Sequence, residues 1–177
     1  DSAFAQCSAT QIAGDGNQIG GPFELVNGEG ETVTDQDVIT EPALIYFGYT
    51  FCPDVCPLDT ARNAEAVDIL TERGLSVTPV FISIDPERDT PRIVGEFAYN
   101  QHEKMIGLTG SPEQVDAASQ AYRTYYRAHD KSDEFYLVDH STFSYLVLPE
   151  HGFVEFFRRD VTADALADRV ACFVENA

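Results

Sequence analysis

The chain of 177 residues contains 30 acidic and 11 basic residues, for a formal net charge of −19, and 44% of its residues are hydrophobic. This length and composition suit one globular domain, and no apolar run approaches the ~20 residues of a membrane span. The acidic excess argues strongly against nucleic-acid binding, which needs clustered Lys and Arg. The carboxylates indicate either a solvated surface or the steering of cations and basic partners, and composition does not separate the two.

The first half of the chain predicts a hairpin followed by a strand–helix–strand unit. Residues 1–21 lack periodicity and form a predicted loose lead-in to a single domain over residues 22–177. Alternating segments on either side of residues 27–30 predict a β-hairpin. Apolar runs at residues 43–47 and 77–84 predict buried strands, and helical periodicity from Leu58 to Leu70 predicts a helix between them. Two such strands are expected to run parallel, with a right-handed crossover.

The second half predicts three helices and a late antiparallel hairpin. Thr90 and Ser111 carry N-cap patterns, and Thr162 caps a final helix. The helix after Ser111 is expected to place five residues on one face: Val115, Ala118, Tyr122, Tyr125 and Tyr126. Strands are predicted at residues 135–138, 142–148 and 153–157.

This order of elements predicts an α/β fold, a thioredoxin-like mixed sheet flanked by helices on both faces, with an N-terminal β-hairpin. A flavodoxin-like sheet is the alternative. The late hairpin and the lack of a glycine-rich phosphate loop count against it.

Two cysteines follow the first buried strand, in what we call the cysteine loop (residues 49–56). Cys52 and Cys56 are each followed by proline. If both lie in the first turn of a helix, the four-residue spacing places their β-carbons ~6 Å apart on one face. The positive end of the helix dipole favours thiolates there. Such a pair either binds a soft metal or exchanges with disulfides.

One of the four histidines stands out as a further metal ligand. His140 lies in a polar triplet, residues 139–141, that interrupts an apolar strand region, where a polar group is costly unless it is used. A structural histidine would be the better interpretation if it stood alone. Ordinary exposed positions are expected for His102, His129 and His151. Two thiolates and one imidazole suit Cu(I), whereas a structural zinc site normally has four ligands.

Four stretches resemble the Sco/SenC/PrrC family of copper chaperones, in order and spacing over about residues 20–174: YFGYTFCPDVCP at 46–57, PVFISIDPERDTP at 79–91, GLTG at 107–110 and VDHS at 138–141. The resemblance implies a thioredoxin-like fold anchored by an N-terminal membrane helix that would precede Asp1. It implies a place in the periplasm or, alternatively, the mitochondrial intermembrane space. Carried over by position, Cys52, Cys56 and His140 are the expected ligands of Cu(I), Cu(II) or both.

The family resemblance favours a metallochaperone that delivers copper to the binuclear copper site of cytochrome c oxidase. Its expected partner is the copper-site subunit, with other copper chaperones or thiol reductants as further partners. The alternative is a thiol-disulfide reductase in which Cys52 and Cys56 are the redox pair. Against it, residues 135–141 contain no proline where thioredoxin-like oxidoreductases have one. A thiol peroxidase is weaker still, because Thr50 stands only two residues before Cys52.

Two structural expectations remain. An exported protein rarely leaves exposed cysteines unpaired, so Cys7 and Cys172 are predicted to form a disulfide that joins the two ends of the domain.

A chaperone must also let its partner reach the metal. Four residues around the site are therefore expected to be solvent-accessible: Phe51, Pro53, Asp54 and Val55.

Overall fold

The computed structural model describes residues 4–8, 19–52, 55–124, 126–128, 138–140 and 142–177. The strands are β1 (Glu24–Asn27), β2 (Thr32–Thr34), β3 (Ala43–Gly48), β4 (Thr78–Ser83), β5 (Ile106–Thr109), β6 (Tyr126–Ala128), β7 (Val138–His140), β8 (Ser144–Leu148) and β9 (Gly152–Phe157). The helices are α1 (Asp35–Val38), α2 (Val55–Glu72), α3 (Pro91–Gln101), α4 (Pro112–Ala121) and α5 (Ala163–Glu175).

Seven strands form one mixed sheet in the order β2-β1-β5-β4-β3-β8-β9. The central strands β3, β4 and β5 are parallel, with Ala43 opposite Thr78 and Gly48 opposite Ser83. The outer pairs, β1 with β2 and β8 with β9, are antiparallel hairpins. This is the predicted mixed sheet with an N-terminal hairpin, and the antiparallel strands rule out the flavodoxin-like alternative.

Helices cover both faces of the sheet, as predicted. On one face, α2 and α5 pack together over an apolar cluster that includes Leu44 of β3 and Leu146 of β8. Neighbouring residues along a strand point to opposite faces, so Ile45 belongs to a second cluster, which also takes in Val115 of α4. The parallel strands therefore lie between two apolar layers, which hold their C-terminal ends in place.

The helix starts agree with the caps expected from the sequence. The side chains of Thr90, Ser111 and Thr162 each accept a hydrogen bond from a backbone N–H in the first turn of α3, α4 and α5. Such a bond satisfies a donor that would otherwise have no partner at the helix end. The short helix α1 was not predicted, although Thr34 and Asp37 form a capping box at its start.

The predicted face of α4 is correct for Val115, Ala118 and Tyr122, which are buried in one apolar cluster, and wrong for Tyr126. The helix ends at Ala121, and Arg123 adopts a left-handed conformation with φ of 54°. The backbone N–H of Thr124 then bonds the carbonyl of Ser119 and closes the helix end. Tyr126 consequently lies in β6, paired with β7, and not on a helix. Tyr125 lies outside the described residues.

The predicted disulfide between Cys7 and Cys172 is present. It ties residues 4–8 to α5, where the ring of Phe4 packs against those of Phe173 and His151. Residues 9–18 lie outside the described part of the chain, so the predicted loose lead-in stays a prediction. Within the described residues, no helix combines the length and the hydropathy of a membrane span.

Candidate metal centre

The cysteine loop leaves the C-terminal end of β3 and enters α2, so the candidate site lies at the edge of the sheet where the parallel strands end. Cys52 lies in the loop and Cys56 in the first turn of α2. Neither forms a disulfide, and both are buried, with 7% and 0% of their surface exposed. Glycine is needed at the end of β3, because a β-carbon at Gly48 would lie 2.9 Å from Cys56 Sγ.

The two cysteines are in contact, as their spacing predicts. The backbone N–H of Cys56 donates to Cys52 Sγ at 3.3 Å, and the two side chains are also hydrogen-bonded to each other. The backbone N–H of Cys52 bonds the carbonyl of Tyr49 at 3.2 Å, which folds the loop back toward the helix. Both sulfur atoms are therefore available to one metal ion, or to each other as a disulfide.

The expectation that the helix dipole favours a thiolate is wrong for Cys56. Burial raises the pKa of its thiol, and the neighbouring Cys52 raises it further. The hydrogen-bonding contacts of Cys56 with the backbone of Tyr49 and with the hydroxyl oxygen of Tyr46 act in the opposite direction and do not outweigh burial. Cys56 is therefore a protonated thiol at neutral pH, and it must lose its proton to bind a metal.

Behind Cys56 lies a buried polar pair that sequence reasoning missed. The hydroxyl of Tyr46 donates to Asp59 Oδ2 at 2.7 Å, and Arg159 Nε donates to Asp59 Oδ1 at 3.3 Å. Burial, the nearby Cys56 and the bond to Asp59 all raise the pKa of Tyr46, which keeps its hydroxyl a donor. The signal was present in the spacing, since Asp59 lies one helical turn after Cys56.

A buried carboxylate holds the start of the cysteine loop. Asp89 lies between β4 and α3, and Thr50 donates to it through both its backbone N–H, at 3.0 Å, and its hydroxyl. Ser83 Oγ adds a bond of 2.6 Å from the end of β4. Burial raises the pKa of Asp89, and the bonds from Ser83 and Thr50 oppose that shift. Asp89 was identified in the sequence only as part of a family motif.

Arg88, the neighbour of Asp89 in the chain, lies beneath the cysteine loop. Its guanidinium lies 4.6 Å from the ring centroid of Phe51 and 5.7 Å from that of Tyr49. Arg88 Nε also donates to Asp85 Oδ2 at 2.6 Å. Phe51 remains 43% exposed, as predicted. Pro53, Asp54 and the side chain of Val55 lie outside the described residues.

The structure does not describe the side chain of His140. Its backbone lies in β7, where it pairs with Tyr126 of β6. Among the side chains that are described, no three His, Cys, Asp or Glu groups come together to hold a metal ion. The convergence of His140 with Cys52 and Cys56 stays a prediction.

The other histidines are placed as follows. His102 is more buried than predicted: its Nε2 lies 2.7 Å from Asp68 Oδ1, and its Nδ1 accepts from the backbone N–H of Lys104 at 2.9 Å. His151 is exposed in the turn before β9, as predicted. His129 lies outside the described residues. The contacts of His102 hold α2 and α3 together, which is a structural role.

Comparison with known proteins gives consistent matches. The SCO1/SenC family model matches residues 12–175. Protein SenC of Rhodobacter capsulatus is 58% identical over 158 residues, which cover 89% of this chain and 72% of that protein. A mitochondrial SCO1 homolog of Arabidopsis thaliana is 45% identical over 153 residues, which cover 86% of this chain and 46% of that protein. The chain therefore spans about half the length of the plant relative.

A solved structure matches equally well. The crystal structure of Arabidopsis thaliana ScoI with copper bound superposes with a TM-score of 0.82 at 44% identity, over 89% of this chain and 97% of that one. The resemblance drawn from the four sequence stretches is thus confirmed, and the chain belongs to the SCO1/SenC family.

Proposed function

We propose that this protein is a copper metallochaperone. It binds one copper ion through the thiolates of Cys52 and Cys56 and the imidazole of His140, and passes it to the copper-site subunit of cytochrome c oxidase. The observation that carries the proposal is the pair of reduced cysteines in contact at the start of α2. The copper-bound Arabidopsis relative supports the choice of metal.

The donor set fits copper better than zinc. Thiolates are soft ligands that select Cu(I), and imidazole is a common third partner. A closed zinc site normally takes four protein ligands, and the described part of the chain brings only the two cysteines together. Each thiol gives up its proton when the metal binds, so copper uptake releases protons and is favoured by higher pH.

Copper is cargo here, so the site has to release it. Cys56 is enclosed, but Cys52 lies in the loop beside the exposed ring of Phe51. A three-coordinate ion leaves room for an incoming ligand. A thiolate of the partner can therefore join the ion first, and further partner ligands then replace Cys52, Cys56 and His140. The two cysteine thiolates take up protons as they leave, and the imidazole leaves as a neutral group. No electron is transferred in this exchange.

The proposed location is the periplasm, with the domain held to the membrane by an N-terminal segment. The disulfide between Cys7 and Cys172 supports an oxidising compartment, because such bonds persist outside the cytosol. The bacterial relative SenC supports a bacterial setting. The mitochondrial relative makes the intermembrane space the alternative.

The contact between Cys52 and Cys56 also supports a second function, as a thiol-disulfide reductase that keeps the oxidase's copper-site cysteines reduced. In that reaction, two electrons and two protons pass from the two thiols to the partner's disulfide. The products are a Cys52–Cys56 disulfide and two partner thiols. A thiol reductant must then restore the pair.

One set of mixing experiments separates the two functions. Copper-loaded protein and metal-free reduced protein are each mixed with the soluble copper-site domain of an oxidase subunit, prepared once as dithiol and once as disulfide. A chaperone transfers copper to the dithiol form and keeps both of its own thiols. A reductase acts on the disulfide form, loses its thiols and needs no copper. Transfer of copper to neither form would contradict the chaperone.

A further inference from the structure

The two cysteines of the candidate site are held by different parts of the fold. Cys56 belongs to α2, and Thr60, one turn later, bonds its carbonyl at 2.8 Å. Cys52 precedes the helix, and its position depends on how the loop is fastened. The start of the loop is fastened by two hydrogen bonds from Thr50 to the carboxylate of Asp89. The backbone N–H of Thr50 donates one and its hydroxyl donates the other. Two bonds fix orientation as well as distance.

Asp89 is itself held from three directions. Ser83 Oγ at the end of β4 donates to its carboxylate at 2.6 Å. Its backbone carbonyl accepts from Thr109 Oγ1 at the end of β5, at 2.9 Å, and its N–H bonds the carbonyl of Asp85 at 2.9 Å. Asp89 thus ties the loop after β3 to the end of β4 through its carboxylate and to the end of β5 through its backbone carbonyl.

The burial of this group is costly. Asp89 has no exposed surface, and enclosing a carboxylate is unfavourable unless several donors satisfy it. Three donors do so here, and two of them come from the residue two places before Cys52. The main role of the carboxylate is therefore to hold the cysteine loop through Thr50. The third bond, from Ser83, holds the carboxylate in place.

We propose that Asp89 is a positioning residue of the copper site, which fixes Cys52 Sγ relative to Cys56 Sγ through its two hydrogen bonds with Thr50. The inference rests on the proposed function for its copper readout. It also makes a prediction for the metal-free dithiol, and that prediction does not depend on the proposed function. Groups that orient metal ligands typically change metal affinity by about 10- to 100-fold when removed.

The test compares Asp89→Ala with Asp89→Asn. The asparagine can keep the bonds from Ser83 Oγ and the Thr50 N–H with its oxygen, and its amide can donate to the Thr50 hydroxyl. Alanine keeps none of them. We expect Asp89→Ala to lose Cu(I) to a chelator about tenfold faster than the unsubstituted protein, and Asp89→Asn to restore most of the difference.

Glu155→Ala is the matched control. Glu155 is a buried carboxylate of β9 whose partner, Arg169, lies on α5, away from the cysteine loop. Its removal also costs stability, because it leaves a buried charge unpaired. We expect it to leave the copper loss rate and the sulfur-to-copper absorption of the Cu(II) form unchanged. Asp89→Ala should alter both.

The metal-free readout is the equilibrium of the Cys52–Cys56 dithiol with oxidised and reduced dithiothreitol. A loosened loop lowers the effective concentration of one thiol at the other. The equilibrium constant for forming the Cys52–Cys56 disulfide should therefore fall about tenfold in Asp89→Ala, which is about 30 mV for a two-electron couple.

If Asp89→Ala does not fold, Thr50→Val tests the same contact, since it removes only the hydroxyl bond and should show a smaller shift of the same sign. A folded Asp89→Ala with the copper loss rate, Cu(II) absorption and dithiol equilibrium of the unsubstituted protein would overturn the inference. If the unsubstituted protein binds no copper, the proposed function fails, and the dithiol equilibrium still decides the role of Asp89.

Discussion

The hydroxyl of Tyr46 donates a 2.7 Å hydrogen bond to Asp59, directly behind the buried thiol of Cys56. Both side chains are buried, and Tyr46 is also hydrogen-bonded to Cys56. These polar groups beside the inner thiol are therefore fixed by the core, and we expect the proposed copper site to keep its shape with and without the ion.

Tyr46→Phe should lower the free energy of unfolding by about 1–3 kcal/mol, because it leaves a buried carboxylate oxygen without its donor. Copper stoichiometry should not change, since no ligand is removed. Urea unfolding together with metal analysis checks both. Unchanged stability would show that the bond contributes nothing, and a loss of copper would give Tyr46 a direct role in binding.

Removal of the Cys7–Cys172 disulfide should destabilise the domain without affecting copper. The bridge spans 165 residues, and the chain-entropy model puts the stabilisation from so long a loop at about 5 kcal/mol, with 2–5 measured for native bridges. The double variant Cys7→Ser, Cys172→Ser should therefore unfold at a lower urea concentration and still bind one copper ion.

Thiol counting tests the bridge in the unsubstituted protein. Under denaturing, non-reducing conditions, protein with reduced Cys52 and Cys56 should show two free thiols. Four would contradict the bridge.

Acid should weaken the hydrogen bonds of Glu41, which hold the segment before β3 in place. Burial acts to raise the pKa of Glu41, but hydrogen bonds from Thr78, Ser76 and Lys104 outweigh it, so the net shift is downward. A carboxyl group whose pKa is lower in the folded protein stabilises the fold at pH values above its pKa in the unfolded chain, near 4.5. That stabilisation is lost as the pH falls through the pKa of the folded protein.

Glu41→Gln should therefore be less stable than the unsubstituted protein at neutral pH and should approach it in acid. Urea titrations above and below the unfolded pKa measure the difference. A gap that stayed constant with pH would show that the charge of Glu41 is not involved. The effect should be small, because the group is partly exposed and screened by solvent.

Sequence patterns correctly predicted structural features that depend on residues close together in the chain. The N-caps at Thr90, Ser111 and Thr162 and the spacing of Cys52 and Cys56 are local patterns, and the structure confirms them. The contact between Thr50 and Asp89 joins residues 39 positions apart, and no periodicity marks it.

Two of the errors have clear physical reasons. The thiolate expected at Cys56 assumed that the helix dipole dominates, whereas the core encloses the sulfur and burial wins. The end of α4 was misplaced because Arg123 takes a left-handed conformation that ordinary residues seldom adopt.

Oxidation should abolish copper binding. A disulfide between Cys52 and Cys56 removes both thiolates, and a single imidazole is not enough to retain the ion. Protein oxidised and verified by mass spectrometry should take up no stoichiometric copper, and reduction should restore one ion per chain. Full uptake by the bridged form would show that the thiols are not the ligands.

The most direct test of the proposed site is the X-ray absorption spectrum of the Cu(I)-loaded protein, compared with that of His140→Ala. His102→Ala is the matched control, because His102 is held by Asp68 of α2, about three helical turns after Cys56. We expect two sulfur scatterers and one nitrogen scatterer in the unsubstituted protein and in His102→Ala, with the nitrogen lost in His140→Ala. A nitrogen scatterer that persists in His140→Ala, or a first shell without two sulfurs, would contradict the site.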